Sequence, residues 1–359
     1  TAPIRLHKQT ELRQGLGNAL IGDPTLAEPV FAGTGDISIS TDSDPICTTT
    51  GHHNLTTNDK SLRNTSNGGG LTNSNTGGEN HFTIITISDT PIDKDIIWVG
   101  TDDGNVQVTI DNGDTWDNVR PNIVGVPQKT WVSRVEASKH KKGRAYVSFD
   151  NHRFDDNKPY VFMTDDYGKS WKNITSDLPK DYSVYVIKED YIDENLLFVG
   201  TEKSVYFTIN QGKIWEKLGS NLPSVAIHDL VIHPRDGDLI AGTHGKSIWI
   251  LDDISPLRNL NFNSNKIIPS RESTKWIKIN TGRKQPYFEF RGENPPYGAI
   301  INFYSKTEIK GKITITNSSE SNLYKRDISL SNGLNRFIWP FELDRNSDEL
   351  INYKTKFIK

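Results

Sequence analysis

Three acidic side chains follow strands that end in Gly-Thr: Asp102 and Asp103 after Gly100-Thr101, and Glu202 after Gly200-Thr201. A glycoside hydrolase needs two carboxylates roughly 5 to 10 Å apart, one to protonate the leaving oxygen and one to act as base or nucleophile. These three acids are the candidate catalytic set, set against a plainer reading as turn-forming acids on a solvated rim. His244, in Gly242-Thr-His-Gly-Lys246, holds the matching place in a later copy and either lines the same rim or shapes its turn. The insertion Asp150-Asn-His-Arg-Phe-Asp-Asp156 reads as an exposed loop. Loops on rigid scaffolds commonly carry binding, which makes Arg153 and Phe154 candidate contacts. His52-His53 and His81 bracket a polar stretch, but adjacent residues of a strand point to opposite faces and make a poor chelating pair, so no metal site is expected. The run Lys139-His-Lys-Lys142 reads as a solvated basic turn. No P-loop, Ser–His–Asp or zinc spacing is present, and no cofactor is expected.

These residues hang on a repeated frame. Thr109-Ile-Asp-Asn-Gly-Asp-Thr-Trp116, Thr164-Asp-Asp-Tyr-Gly-Lys-Ser-Trp171 and Thr208-Ile-Asn-Gln-Gly-Lys-Ile-Trp215 share a hydroxyl, an Asp or Asn, a Gly and a Trp at fixed offsets. The pattern suits a hairpin turn. Thr109, Thr164 and Thr208 open it, Asp111, Asp166 and Asn210 accept backbone N–H bonds, and Gly113, Gly168 and Gly212 take a positive φ. Trp116, Trp171 and Trp215 pack over the turn and between neighbouring units. Used this way, the box residues are structural and unavailable for catalysis.

Around each box the same strands recur. Ile96-Ile-Trp-Val-Gly-Thr101, Leu196-Leu-Phe-Val-Gly-Thr201 and Leu239-Ile-Ala-Gly-Thr243 are β-rich runs ending in Gly-Thr, each followed by a short alternating strand. Tryptophans 55 and 44 residues apart, with three or four strands per unit, are the signature of β-propeller blades. Four units are clear, and a fainter one, Val30 to Asp42, lacks the box Gly and Trp. A closed ring takes about four to eight blades, so two readings stay open: closure within this chain, or an arc of a larger ring. The expected organisation is an irregular segment over 1–80 holding the degenerate unit at 30–42, propeller blades over 81–258, and a small β-sandwich over 270–359. The sandwich is read from short strands such as Tyr287-Phe-Glu-Phe290, Ala299-Ile-Ile-Asn-Phe-Tyr304 and Lys312-Ile-Thr-Ile-Thr316. The fold class is all-β, an Asp-box-type propeller, complete or not, followed by a C-terminal β-sandwich.

Composition narrows the classes. A chain of 359 residues exceeds one ordinary domain. A hydrophobic content of 34% and a mean hydropathy of -0.58 are low for a compact globule and suit repeated sheets with many polar turns. The net charge is -3, and the scattered Lys and Arg form no basic stripe with interleaved aromatics, so nucleic acid is not an expected partner. No apolar run reaches the roughly 18 residues of a membrane-spanning helix. Cys47 is the only cysteine, which excludes an intrachain disulfide. Sequons begin at Asn54, Asn64, Asn173 and Asn317, matches that chance supplies readily in an Asn- and Thr-rich chain.

The boxes resemble the Asp-box of sialidases, of bacterial neuraminidase repeats and of sortilin-type Vps10 propellers. Ile97-Trp-Val-Gly-Thr-Asp-Asp-Gly-Asn-Val-Gln-Val-Thr109 and Ala241-Gly-Thr-His-Gly-Lys-Ser-Ile-Trp-Ile-Leu-Asp-Asp-Ile-Ser-Pro-Leu257 are similar to large bacterial exported proteins of the Vps10 or sortilin-like group. Phe290-Arg-Gly-Glu-Asn-Pro-Pro-Tyr-Gly-Ala299 and Gly333-Leu-Asn-Arg-Phe-Ile-Trp339 resemble the β-sandwich that follows the propeller there. The resemblance covers residues 81 to about 340. It implies a secreted, periplasmic or outer-surface bacterial protein and little chemistry. A sialidase would need three convergent arginines, and Arg120, Arg134 and Arg144 are unevenly placed, with no Arg-Ile-Pro sign. The expected function is a non-catalytic interaction module for a protein or glycan partner, as a subunit of a larger envelope assembly in one version. A carbohydrate-active hydrolase using Asp102, Asp103 and Glu202 is the alternative.

Overall fold

A computed structural model describes residues 5–7, 36–39, 47–50, 83–219, 221–269, 271–275, 296–316 and 322–342. The chain divides into two compact units at Asp253/Ile254. In the first, short N-terminal strands β1 (Arg5–His7), β2 (Asp36–Ile39) and β3 (Cys47–Thr50) precede four sheets of one design. The first sheet is β4 (Ile84–Thr90), β5 (Asp93–Thr101), β6 (Val106–Thr109) and β7 (Asp117–Asn118). The second is β8 (Trp131–Ala137), β9 (Ala145–Asn151), β10 (Asp156–Thr164) and β11 (Lys172–Asn173). The third is β12 (Val184–Glu189), β13 (Leu197–Thr201), β14 (Val205–Thr208) and β15 (Glu216–Lys217). The fourth is β16 (Ile227–Ile232), β17 (Leu239–Thr243) and β18 (Ile248–Leu251), with β1 pairing antiparallel to β18 as its outer strand. These are propeller blades, and the first strands β4, β8, β12 and β16 pack against one another in turn.

Strands β5, β13 and β14 are buried because the first and third blades are covered on both sides. On the side facing the next blade, the first blade presents Trp98, Val106 and Val108, all at most 3% exposed, and the buried Gly100. The third presents Phe198, Val205 and Phe207, all at most 7% exposed, and the buried Gly200. The glycines are required by close approach. A Cβ at Gly100 would meet Val132 Cγ1 of the second blade at 2.5 Å, and one at Gly200 would meet the carbonyl oxygen of Ile227 in the fourth at 2.8 Å. The second blade has Ser148 at this place, whose hydroxyl lies 2.8 Å from that of Ser133. In the fourth blade the matching residues Ile240, Gly242, Ile248 and Ile250 are only half-buried, and a Cβ at Gly242 would touch nothing but Asp229 of its own sheet.

Every inner strand carries the same irregularity. Register slips by one residue between Ile84 and Thr86, Val132 and Arg134, Val184 and Val186, and Ile227 and Asp229. A bulge at the start of each inner strand re-aims the extra side chain and tightens the local twist. The extra residues are Ile85, Ser133, Tyr185 and His228.

A polar lock joins the second and third blades at the far ends of their inner strands. Glu136 accepts from Lys139 Nζ at 2.8 Å and Lys188 Nζ at 3.0 Å. Burial opposes its ionisation, yet Lys188 and Lys139 together hold its carboxyl below the usual range. A depressed acid stabilises the fold above its free value near 4.5 and loses that contribution as pH falls through the folded value. Glu136→Gln is expected to lower stability by about 3 kcal/mol at pH 7, since two ammonium groups lose their partner. In urea titrations the gap to wild type should close toward pH 3; a gap independent of pH would refute the ion-pair account.

The basic turn of the sequence is tied down by ion pairs: Lys139 to Glu136, Lys141 to Asp165 and Lys142 to Asp93, while His140 bonds the Asp190 carbonyl. Lys142 and His140 thus reach the first and third blades while Lys139 and Lys141 pair within the second, so the turn is not a freely solvated run. The expectations for 1–80 fall largely outside the described residues; of the faint unit, Asp36–Ile39 forms a strand and pairs with Cys47–Thr50.

In the second unit a one-turn helix, α1 (Ser255–Arg258), precedes β19 (Lys266–Ile268), β20 (Ala299–Ser305), β21 (Ile309–Thr316), β22 (Asn322–Leu330) and β23 (Gly333–Trp339). β19, β20 and β23 make one sheet, and β21 with β22 another. Phe303 of the first and Ile313 and Tyr324 of the second share a core with Phe337 and Trp339 around them, a small β-sandwich. β19 begins this unit earlier than residue 270 because Lys266–Ile268 pairs with Asn302–Tyr304. The strand expected at Tyr287-Phe-Glu-Phe290 lies outside the described residues.

Candidate functional site

Strand direction separates two ends of each blade. Inner strands start, and second strands finish, at one end, called the mouth here; the boxes close the turn between third and fourth strands at the other. Thr109 Oγ1 donates to Asp111 Oδ1 at 2.7 Å, and Gly113 N–H donates back to Thr109 Oγ1 at 2.8 Å. Asp111 also receives the N–H and hydroxyl of Thr115. Thr164, Asp166, Gly168 and Ser170 repeat the pattern, and Thr208, Asn210 and Gly212 repeat it with an amide oxygen. The three glycines have φ of 97°, 80° and 78°, and the residues before them, Asn112, Tyr167 and Gln211, are also left-handed. Space demands glycine as well: a Cβ at Gly168 would strike Val119, and one at Gly212 would strike Ile174, each in the preceding blade. Trp171 donates to the Gly168 carbonyl and meets Trp98 edge-on at 6.0 Å, while Trp215 donates to the Ile174 carbonyl. Trp116 Nε1 is buried without a partner.

At the mouth the candidate acids are mostly consumed. Asp102 and Asp103 are 6% and 3% exposed, which corrects the expectation of a solvated rim. Asp102 accepts from the Thr83 N–H at 2.8 Å, and Asp103 accepts from Thr101 Oγ1 and Asn105 Nδ2. They serve the turn that ends β5. Glu202 is half-buried in the corresponding turn of the third blade. The three arginines considered for a carboxylate site do not converge. Arg120 donates to the carbonyls of Ile123, Val126 and Pro127, Arg144 sits between Asp165 and Glu194, and Arg134 alone lies at the mouth.

What the structure does assemble is a row of rings. Tyr185 and His228, the bulge residues of adjacent inner strands, stack at 4.5 Å with planes 22° apart. His244 lies 5.3 Å beyond His228, and His152 meets Tyr185 edge-on at 6.4 Å. Asp150 fixes His152, its carboxylate 2.5 Å from Nδ1 and 3.1 Å from the backbone N–H. Arg134 reaches from the second blade to Asp229 of the fourth at 2.7 Å, so residues of three blades converge here. Arg153 lies over the Trp131 ring at 3.9 Å, and Lys203 lies over Tyr182 at 4.4 Å. Phe154 is 69% exposed beside Arg153 in the short turn His152–Phe154.

Of the sequence candidates, the structure brings Arg134, Arg153, Phe154 and His244 to this mouth, along with the acids Asp102, Asp103 and Glu202. Trp131, His152, Tyr182, Tyr185, Lys203 and His228 are not candidates on the sequence alone. Each alone looks like an ordinary strand or turn residue. Aligning the repeats on Val132, Val184 and Ile227 would have placed Ser133, Tyr185 and His228 in one column, but the bulge that aims them is not written in the residue types. Among the described residues no group of three His, Cys, Asp or Glu side chains is arranged to hold a metal ion. No helix of the described residues is long and apolar enough to cross a membrane.

His228 is held below the ordinary imidazole value of 6.5, first by partial desolvation and then by repulsion from His244 and His152, with Asp150 acting the other way. Tyr185 is pushed up to about 12 by desolvation and by the charges of Asp150 and Glu202. Because the folded value of His228 is depressed, the stack is fully supported above pH 6.5 and loses support as pH falls below it. An NMR titration is expected to place the His228 midpoint below 6.5, moving up in His244→Ala. A midpoint above 6.5 would contradict this environment.

Residues 159–337 match the Sortilin-Vps10 family model, described as sortilin, neurotensin receptor 3. No curated protein sequence matches the chain. Among solved structures, the chain is similar to YCF48 bound to D1 peptide, with 22% identity and a TM-score of 0.35 over 44% of this chain and 48% of that one. It is also similar to the GH74 enzyme of Niastella koreensis, with 13% identity and a TM-score of 0.38 over 60% and 28%. For the GH74 xyloglucanase of Xanthomonas campestris the values are 12% and 0.38 over 73% and 38%. The chain thus spans about half or less of the length of these proteins.

Proposed function

We propose that these Asp-box blades of the Sortilin-Vps10 type form a non-catalytic interaction module that holds its partner at the mouth, in a secreted, periplasmic or cell-surface setting. The observation that carries this reading is the Tyr185–His228–His244 row, with both histidines exposed, joined by Trp131–Arg153. Large flat side chains that keep polar edges in water bind well at small entropic loss. The hydrolase alternative is disfavoured by the turn bonds that occupy Asp102 and Asp103. Capture of glycans or envelope proteins by the full chain, with identification of what is bound, tests the reading. Tyr185→Ala and His228→Ala should abolish capture while the circular dichroism spectrum stays unchanged. Release of reducing ends from a polysaccharide, lost in Glu202→Gln, would overturn the non-catalytic assignment.

A further inference from the structure

Three consecutive blades repeat one arrangement at the mouth. Each sets a ring at the start of its inner strand beside a basic side chain from the loop joining its second and third strands. In the second blade the pair is Trp131 with Arg153, in the third Tyr182 with Lys203, and in the fourth His228 with His244. The first blade carries Asp102 and Asp103 in that loop in place of a basic side chain. The sequence resemblance is between blades, yet rings and cations at these points differ in type from blade to blade, so the box and strand pattern does not generate them.

A cation resting on an aromatic face is attracted by the ring and loses less freedom when a ligand arrives. Arg153 and Lys203 are exposed, so their charges are available at the surface, and His244 is exposed with a ring N–H to donate. Of the acids nearby, Asp150 is engaged with His152, Asp229 with Arg134, and Asp102 and Asp103 with their turn, while Glu202 stands half-buried next to Lys203 in the chain. Arg153 and Lys203 stand on successive blades, so a linear polymer with a recurring negative charge can meet both.

We infer that the mouth binds an acidic polysaccharide, a chain of uronate-type sugars whose carboxylates meet Arg153, Lys203 and His244 while its rings lie on the adjoining aromatic surfaces. This rests on the interaction-module reading and names the partner of that site. Arg134 anchors the centre of the row through Asp229, and the exposed Phe154 extends the apolar surface beside Arg153. A nucleic acid shares the recurring charge, but the chain as a whole carries a net charge of -3 and no basic stripe away from this arc.

Affinity electrophoresis of the full chain in gels containing polygalacturonate, alginate or neutral xyloglucan tests the inference. Retardation is expected in the two acidic gels, weakening as salt rises and absent in xyloglucan. Arg153→Ala and Lys203→Ala should each weaken retardation about tenfold, and the pair with His244→Ala should abolish it. Lys213→Ala, in the box turn of the third blade at the opposite end, should leave it unchanged. No retardation in either acidic gel overturns the inference, and so does equal retardation in xyloglucan or equally tight binding of single-stranded DNA through the same residues. If the acidic gels fail while Tyr185→Ala still abolishes capture of a protein partner, the module reading stands and only the polysaccharide assignment falls.

Discussion

Replacing Gly200 by alanine is expected to destabilise the propeller unit by about 3 kcal/mol, in the range of overpacked cores, whereas the same change at Gly242 should be neutral or stabilising by about 0.5 kcal/mol. Both glycines end the second strand of a blade in the same Gly-Thr pair. At Gly200 the added methyl group would come within 2.6 Å of Val186 Cγ1, 2.8 Å of Ile227 Cγ2 and 2.8 Å of the Ile227 carbonyl oxygen. A side chain can turn away, but the backbone oxygen belongs to the inner strand of the next blade and moves only if the blades part. At Gly242 the nearest atom is Asp229 Cβ at 3.6 Å, an ordinary contact. There alanine restricts the unfolded chain without crowding the folded one. Chemical denaturation of the two variants reads the contrast directly. Equal losses would mean that the fourth blade's far side is covered as tightly as the others, contrary to the half-burial of Ile240, Ile248 and Ile250.

Glu189→Ala is expected to remove about 3 to 5 kcal/mol, because a buried acceptor shared by two blades disappears and leaves its donors unpaired. Glu189, on the third blade, is 1% exposed. It accepts from Ser138 Oγ at 2.9 Å, the Lys139 N–H at 2.6 Å and the Tyr146 hydroxyl at 2.8 Å, all from the second blade or the turn that continues it. Burial raises its pKa above the usual carboxylate value, although the three donors pull the other way. A raised acid contributes most below its free value near 4.5 and loses that contribution as pH climbs through the folded value. Glu189→Gln keeps one acceptor oxygen and should cost less than alanine. Its deficit relative to wild type should be widest near pH 4 and narrow toward neutrality, the reverse of the trend expected for Glu136→Gln. Urea titrations at pH 4, 5.5 and 7 separate the two; parallel trends would contradict the opposite environments of these acids.

Much of the frame was readable before any coordinates. The boxes, the Gly-Thr strand ends and the repeat length pointed to blades, and the short alternating strands after residue 299 pointed to a sandwich. These features are local: a hairpin turn needs its hydroxyl, acceptor and glycine within a few residues, so the requirement leaves a fixed spacing in the sequence. The mouth was less readable. Arg153 stands out as part of an insertion, and His244 as the residue that aligns with Asp102 and Glu202. Tyr185 and His228 do not stand out, because each sits inside an apolar strand pattern and only the one-residue slip in register turns it toward its neighbour. The acids follow the Gly-Thr strand ends in the sequence, but their burial is not legible there, since the partners of Asp102 include a backbone N–H 19 residues away.

The sequence by itself determined the repeating unit: which residues lock the turns, which strands are apolar and where glycine recurs. The tertiary structure decided what those units do to one another. Whether a Gly-Thr end is crowded, as at Gly200, or open, as at Gly242, depends on whether another sheet lies against it, and the two carry the same dipeptide. Whether an acid is a free carboxylate or a turn bond depends on a donor brought from elsewhere in the chain. The ring row arises between blades, from residues about 40 apart that meet only when inner strands pack side by side around one axis. Local chemistry is encoded in neighbouring letters, while a site shared by several blades exists only after the sheets have packed.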